Sequence, residues 1–387
     1  MSELPQVPTQ GARRRRALSF VLVAFVLVGL GWITWWYIES RGHETTDNAY
    51  VVGNLVQVTP RVSGTVVAIG ADDTDLVEAG QPLVRLDPAD ARVALAQAEA
   101  QLAQAVREAR TLYAEDITLA AAAAQRQVDL ARAEQDLARR APLLASGAVS
   151  QEDLQHARDA VAAARAALTT AREQLAASRA LTEGTKVETQ PSVLRAAARV
   201  REAFLTLQRD EIPAPVRGYV AKRSVQVGQR VAPGEPLMAV VPLDDVWVEA
   251  NFKEVQLREM RIGQPARLTA DLYGSRVEYV GHVAGLAAGT GGAFALLPPQ
   301  NATGNWIKVV QRLPVRIALD RKQLAEHPLR IGLSMEVDVD VRDASGPQLA
   351  TAPVKGPVYA TRAFDEQAAA ADARVREIIA ANLGRGQ

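Results

Sequence analysis

Residues 58–87 read VTPRVSGTVVAIGADDTDLVEAGQPLVRLD, and residues 212–241 read IPAPVRGYVAKRSVQVGQRVAPGEPLMAVV. Shifted by 154 positions, the two stretches fall into register: Val62 on Val216, Gly64 on Gly218, Val66 on Val220, Val77 on Val231, Gly80 on Gly234, Pro82 on Pro236 and Leu83 on Leu237. Each alternates apolar and polar residues and carries glycine where the chain must turn, the pattern of short β-strands. Two copies of one strand-rich motif predict one small domain built from two halves. Everything between the halves is then an insertion.

The insertion, residues 89–209, reads as helical. From Ala89 to Ala141 there is no glycine or proline, and Ala, Gln, Glu and Arg dominate, all strong helix formers. A helix of that length reaches roughly 75–80 Å at about 1.5 Å per residue. Residues 142–149, PLLASGAV, form a turn, and Ser150 before Gln151, Glu152 and Asp153 reads as an N-cap with acid in the first helical turn. The returning helix holds Leu154, Val161, Leu168 and Leu175 at one heptad position and Ala157, Ala164, Ala171 and Ser178 three residues after each. A seam of large then small residues suits an antiparallel coiled coil whose backbones approach closely. Glu183-Gly184-Thr185 interrupts this helix, and Pro191 can restart it in a first turn.

Toward the N-terminus, Ala17 to Ile38 carries no charge, with Arg13–Arg16 just before it and Trp32, Trp35, Trp36 and Tyr37 at its far end. As a helix it would extend about 33 Å, enough for a bilayer core of about 30 Å. The basic flank predicts residues 1–16 in the cytoplasm, a span at 17–38 and the rest outside. A cleaved signal peptide is the rival, but its apolar region is shorter, and no small-x-small site follows here. Toward the C-terminus, residues 244–345 alternate again (VWVEANF, ARLTADLY, MEVDVDV) and predict an antiparallel β-barrel or sandwich. Residues 346–387 end in an Ala-rich helix at 366–383 carrying Val375, Ile378 and Ile379, with no packing partner legible in the sequence. The fold class is therefore α+β: an N-terminal transmembrane helix, a sandwich of two halves (39–88 with 210–243) split by the hairpin (89–209), then the barrel.

Composition narrows function. Lys+Arg and Asp+Glu both number 44, so no net charge draws the chain to nucleic acid. Without cysteine there are no disulfides, thiolate nucleophiles or sulfur-ligated zinc, and the four histidines show no ligand spacing. Neither a nucleophile elbow, a phosphate loop nor a zinc-protease motif occurs, and the acid pairs Asp72/Asp73 and Asp244/Asp245 read as solvated turns. The expectation is no enzyme and no cofactor.

The paired halves resemble a biotinyl/lipoyl domain. Carriers of that kind present a lysine after a segment like Gly80–Leu86; here the chain continues LDPAD, with Asp90 near that place, so a structural clamp on the hairpin is the expectation. The whole order resembles the HlyD family of periplasmic membrane fusion proteins, and within it the EmrA-type multidrug adaptors. The resemblance rests on TTDNAYVVGN (45–54), LDPADAR (86–92), LQHARDAV (154–161), WVEANFKE (247–254) and above all LLPPQNATGNWIKVVQRLPVRIALD (296–320). It implies a Gram-negative inner-membrane protein with a periplasmic body. Its implied partners are a proton-driven major-facilitator drug exporter and a TolC-like outer-membrane channel, with several copies side by side. Adaptors of protein-secretion systems driven by ABC transporters share the architecture and are the alternative; a pump-independent coiled-coil scaffold is the other. The resemblance also supplies candidate sites. Arg139, Leu143 and Ser150 match the R-x3-L-x6-S spacing found at hairpin tips that dock on such channels, though each would serve equally as helix-end charge, seam cap and N-cap. In the loop Gly289–Trp306, where Pro298-Pro299 excludes a central strand, Phe294, Leu296, Leu297 and Trp306 either cover the barrel's own core or contact the pump or a neighbouring protomer. The resemblance favours contact.

Overall fold

The computed structural model describes residues 11–294 and 308–384. A first helix, α1 (Gly11–Arg41), leads directly into strand β1 (His43–Gly53). There follow β2 (Val56–Val58), β3 (Gly64–Ile69), β4 (Leu76–Val77) and β5 (Pro82–Leu86), then the helices α2 (Ala89–Arg140), α3 (Gln151–Arg179) and α4 (Pro191–Gln208). The second set of strands is β6 (Glu211–Pro213), β7 (Gly218–Ala221), β8 (Arg230–Val231) and β9 (Met238–Val241). After them come β10 (Val246–Lys253), β11 (Pro265–Ala270), β12 (Glu278–Leu286), β13 (Arg312–Leu319), α5 (Arg321–Glu326), β14 (Ser334–Asp340) and α6 (Asp365–Leu383).

The repeat folds as one sandwich of two four-stranded sheets, ordered β2-β9-β7-β4 and β6-β5-β3-β8. Moving each strand to its counterpart in the other half turns one sheet into the other, so each sheet takes two strands from each half. The equivalence extends to single hydrogen bonds. Gly80 N donates to Ala214 O at 2.9 Å while Gly234 N donates to Pro60 O at 3.0 Å; Val66 N donates to Gln229 O while Val220 N donates to Asp75 O, both at 2.9 Å. Gly80 and Gly234 both lie at positive φ, 86° and 83°, which glycine adopts without a Cβ clash. Leu83, Leu86, Val77, Val220, Val231, Leu237 and Val240 close the core between the sheets.

The barrel is closed, in the order β1-β10-β13-β12-β11-β14. Its interior is lined by Val51, Val248, Phe252, Leu268, Tyr279, Ile317, Met335 and Val337. Here the sequence expectation needs correction. The sequence reading places residues 43–53 in the first half of the sandwich, whereas β1 is a barrel strand between β10 and β14. The alternation is hidden because the inward residues start with Thr46 and the β14 register shifts between Thr46 and Ala49, a bulge that breaks the two-residue period. The domains are consequently nested: the hairpin is inserted in the sandwich, and the sandwich between the first and second barrel strands in sequence.

α1 carries large apolar side chains from Leu18 to Trp32 that are exposed. Among the described residues no helix is long and apolar enough to cross a membrane; the side chains of residues 33–38, the far part of the expected span, are not among those described.

Candidate functional site

α2 reaches about 78 Å from the sandwich at about 1.5 Å per residue, consistent with its 52 residues. At its far end a 3-10 turn, Ala141–Leu144, starts with Pro142 in its first positions. Gly147 then takes a left-handed conformation, φ 69°, and Leu143 O accepts from Ala148 N at 3.2 Å and from Ser146 Oγ at 2.9 Å. These bonds make a short turn with no apolar support of its own. Ser150 begins α3 with a complete capping box: its Oγ accepts from Asp153 N at 3.0 Å, and Asp153 Oδ2 accepts from Ser150 N at 3.4 Å and also from Ser150 Oγ at 2.6 Å. Those bonds hold the Asp153 carboxyl below the usual range.

The three tip residues thus meet at one end of the molecule in different situations. Arg139 is two-thirds exposed and reaches back to Asp136 at 3.2 Å, which also takes Arg140 at 2.9 Å. Leu143 is 44% exposed, beside Leu144 at 39%; the first buried seam residue on α3 is Leu154. Ser150 is spent as the N-cap. Two adjacent exposed leucines on a turn of mostly small and apolar residues form a small apolar spot, with Arg139 and Arg140 on its α2 side and Glu152 and Asp153 on its α3 side.

The seam beneath the tip follows the heptad reading. Leu154, Ala157, Val161, Leu168 and Ala171 are buried against α2. Arg165 reaches Glu134 at 3.2 Å and Arg172 reaches Gln127 at 2.7 Å across the pair. Where α3 breaks, Gly184 turns at φ 75° and Pro191 starts α4. The break is filled by a polar network: Asp116 accepts from the hydroxyls of Ser178 and Thr182, which hold its carboxyl below the usual range. Tyr113 Oη meets Thr185 Oγ1 at 2.8 Å, and Gln190 accepts from Thr185 at 2.8 Å.

Sequence reasoning left α6 without a place. It lies along α2 and α4 at the root of the hairpin, with Val375 and Ile378 buried among Leu102, Val106, Val193 and Val200. Arg374 donates to both Glu99 carboxylate oxygens at 2.6 and 3.0 Å, and Arg201 pairs with Asp372. The 375/378/379 spacing was the available signal; it marks an apolar face without naming what covers it.

On the barrel, Phe294 is 72% exposed. Its ring lies so close to Gly289 that a Cβ there would sit 2.8 Å from it, so Gly289 gives the ring its resting place. Leu296, Leu297 and Trp306 lie outside the described residues.

Comparison with known proteins supplies the remaining information. Residues 89–210 match the family model described as the EMRA alpha-helical hairpin domain, and residues 245–340 the AAEA-like beta-barrel domain. The multidrug export protein EmrA of Escherichia coli K12 is 46% identical over 99% of this chain and 98% of its own length. The fatty acid resistance protein FarA of Neisseria gonorrhoeae is 49% identical over 87% of this chain and 85% of its own length. A solved structure described as the periplasmic adaptor protein EmrA covers 77% of this chain and 98% of its own, at 18% identity and a TM-score of 0.39. With a relative this similar from end to end, the chain belongs to the EmrA-type membrane fusion proteins.

Proposed function

We propose that this protein is the periplasmic adaptor of a drug-export assembly, joining an inner-membrane major-facilitator pump to a TolC-like outer-membrane channel. The observation that carries the reading is the end-to-end identity of 46% to a multidrug export protein, together with a helix of 52 residues ending in an exposed turn. In this reading α1 is the membrane anchor. Its exposed apolar side chains from Leu18 to Trp32 call for a nonpolar surrounding, and the arginines before it favour a cytoplasmic N-terminus. Because β1 follows α1 almost at once, the barrel rests near the membrane, where Phe294 and the loop with Leu296, Leu297 and Trp306 meet the pump or a neighbouring copy. The hairpin projects outward, and Leu143 with Arg139 seats on the channel, Ser150 keeping the turn in shape. The chain acts by geometry, and the energy for transport belongs to the pump.

The test is genetic and biochemical together. A strain lacking the gene should become drug-sensitive and regain resistance with the intact gene. Crosslinking in that strain should trap the adaptor with one inner-membrane exporter and one outer-membrane channel. Capture of an ABC transporter instead, with unchanged drug sensitivity, would replace this reading by the protein-secretion alternative.

A further inference from the structure

A cavity of about 200 Å³ lies on the side of the sandwich, lined by the edge strands β2 and β6, the end of α4 and the start of α6. Half of its lining is apolar: Val56 and Val58 from β2, Ile212 and Pro213 from β6, then Pro215 and Phe364. Two guanidinium groups stand on the same wall, those of Arg61 and Arg209. Glu211, the acid of the lining, is already taken by Arg85 at 3.1 Å. Arg209 is half-buried, and its Nε is sealed without an acceptor. Its terminal nitrogens have no acceptor among the described residues either, but they are not sealed and stay open on the cavity wall. Arg61 is exposed yet held: its guanidinium lies over the Phe364 ring, 3.9 Å from the centroid, a cation–π contact that keeps it beside the apolar floor.

Unpaired charge on a concave apolar wall narrows the ligand. Planar guanidinium forks match a carboxylate. An inorganic anion leaves the apolar half of the wall unused, and an uncharged apolar molecule leaves the arginines without a partner. The volume is below the roughly 300 Å³ at which drug-sized pockets begin. The body that fits is one or two rings, which also suits packing against Phe364.

We propose that this cavity binds a small aromatic carboxylic acid, its carboxylate held by Arg61 and Arg209 and its ring against Phe364 and the apolar wall. The site is built by this chain alone and is the same whichever transporter the chain serves. A ligand there touches both sheets of the sandwich, α4 and the start of α6, so its occupancy fastens α6 to the joint on which the hairpin stands.

The test uses the full-length protein in detergent at pH 7.5. The probe is sodium 2-naphthoate; the controls are 2-naphthamide, which has the same rings without the charge, and sodium chloride at equal ionic strength. Titration calorimetry should give one saturable site for naphthoate and none for the amide. Naphthoate should also raise the thermal midpoint by several degrees beyond the salt control. Arg209→Gln and Arg61→Gln should each weaken naphthoate binding roughly tenfold or more, and the Lys variants by less. Arg61 is exposed, so Arg61→Gln should fold with a midpoint close to the parent's, which keeps the test open even where Arg209→Gln is unstable. No saturable binding of naphthoate, equal affinity for the amide, or undiminished binding by a folded Arg61→Gln would each overturn the proposal; the last result would leave Arg61 as a clasp on Phe364 alone.

Discussion

The hairpin is two structures end to end. Near the sandwich it is a three-helix bundle, in which α6 lays Val375 and Ile378 on Leu102, Val106, Val193 and Val200. Farther out it is two helices only, joined by the narrow Leu154, Ala157, Val161, Leu168 and Ala171 seam, and it ends in a turn where Leu143 and Leu144 are exposed. The change falls close to one level: Arg110 holds the end of α6 through Asn382 O at 3.0 Å, and a turn farther along α2 Tyr113 and Asp116 meet the break between α3 and α4. The root holds a closed apolar cluster shared by three helices; the outer part supplies length and an exposed end. A terminal helix 275 positions away along the chain from its ion-pair partner is therefore part of the lever's foundation.

The largest effect should come from the root. Leu102 is fully buried, so Leu102→Ala should cost about 2–5 kcal/mol in denaturant unfolding. Ending the chain after Phe364 should be as damaging, because it uncovers the same cluster. Stability unchanged by either would mean that α6 rests on the hairpin without supporting it. In the outer part, Leu168→Ala should cost about 2 kcal/mol or less, since a two-helix seam can close over the lost volume; a cost equal to that of Leu102→Ala would erase the contrast.

Asp210 tests the root through pH. Its folded-state pKa of about 6 lies above the ordinary 3.8, so the folded state holds the proton more tightly than the unfolded chain. Stability then falls as pH rises from about 4 to about 6, and the cost stays constant above that. Asp210→Asn removes the cost. It should stabilise the protein by on the order of 2 kcal/mol at pH 7.5 and leave it unchanged below pH 4. A variant less stable than the parent at pH 7.5 would show that the carboxylate has a partner there. Smaller still is the ion pair of α6: Arg374 and Glu99 are partly exposed, and Arg374→Gln should cost about 1 kcal/mol or less, an amount reduced by salt.

The sandwich and the hairpin were legible because each writes its pattern in adjacent residues. The repeat shows its pseudo-symmetry as a fixed offset, and the coiled coil shows its seam every seven residues. What escaped depended on contacts between distant segments. Strand β1 hid behind a bulge and a threonine at an inward position. α6 shows an apolar face with no address, and Asp210 is an unremarkable acid at a helix end until the fold closes over it. The tip was legible as a turn with a motif, but its three residues do not share one condition: Ser150 is committed to capping, while Arg139 and Leu143 face outward.

That difference gives the central measurement. Arg139→Asp and Leu143→Asp alter exposed side chains, so each should move stability by less than about 0.5 kcal/mol. Each variant is expressed in the strain lacking the gene, and drug resistance is read beside the thermal midpoint of the purified protein. The adaptor reading predicts lost resistance with an unchanged midpoint, because the turn works only by meeting a partner. Full resistance in both variants, from protein present at normal levels, would contradict it.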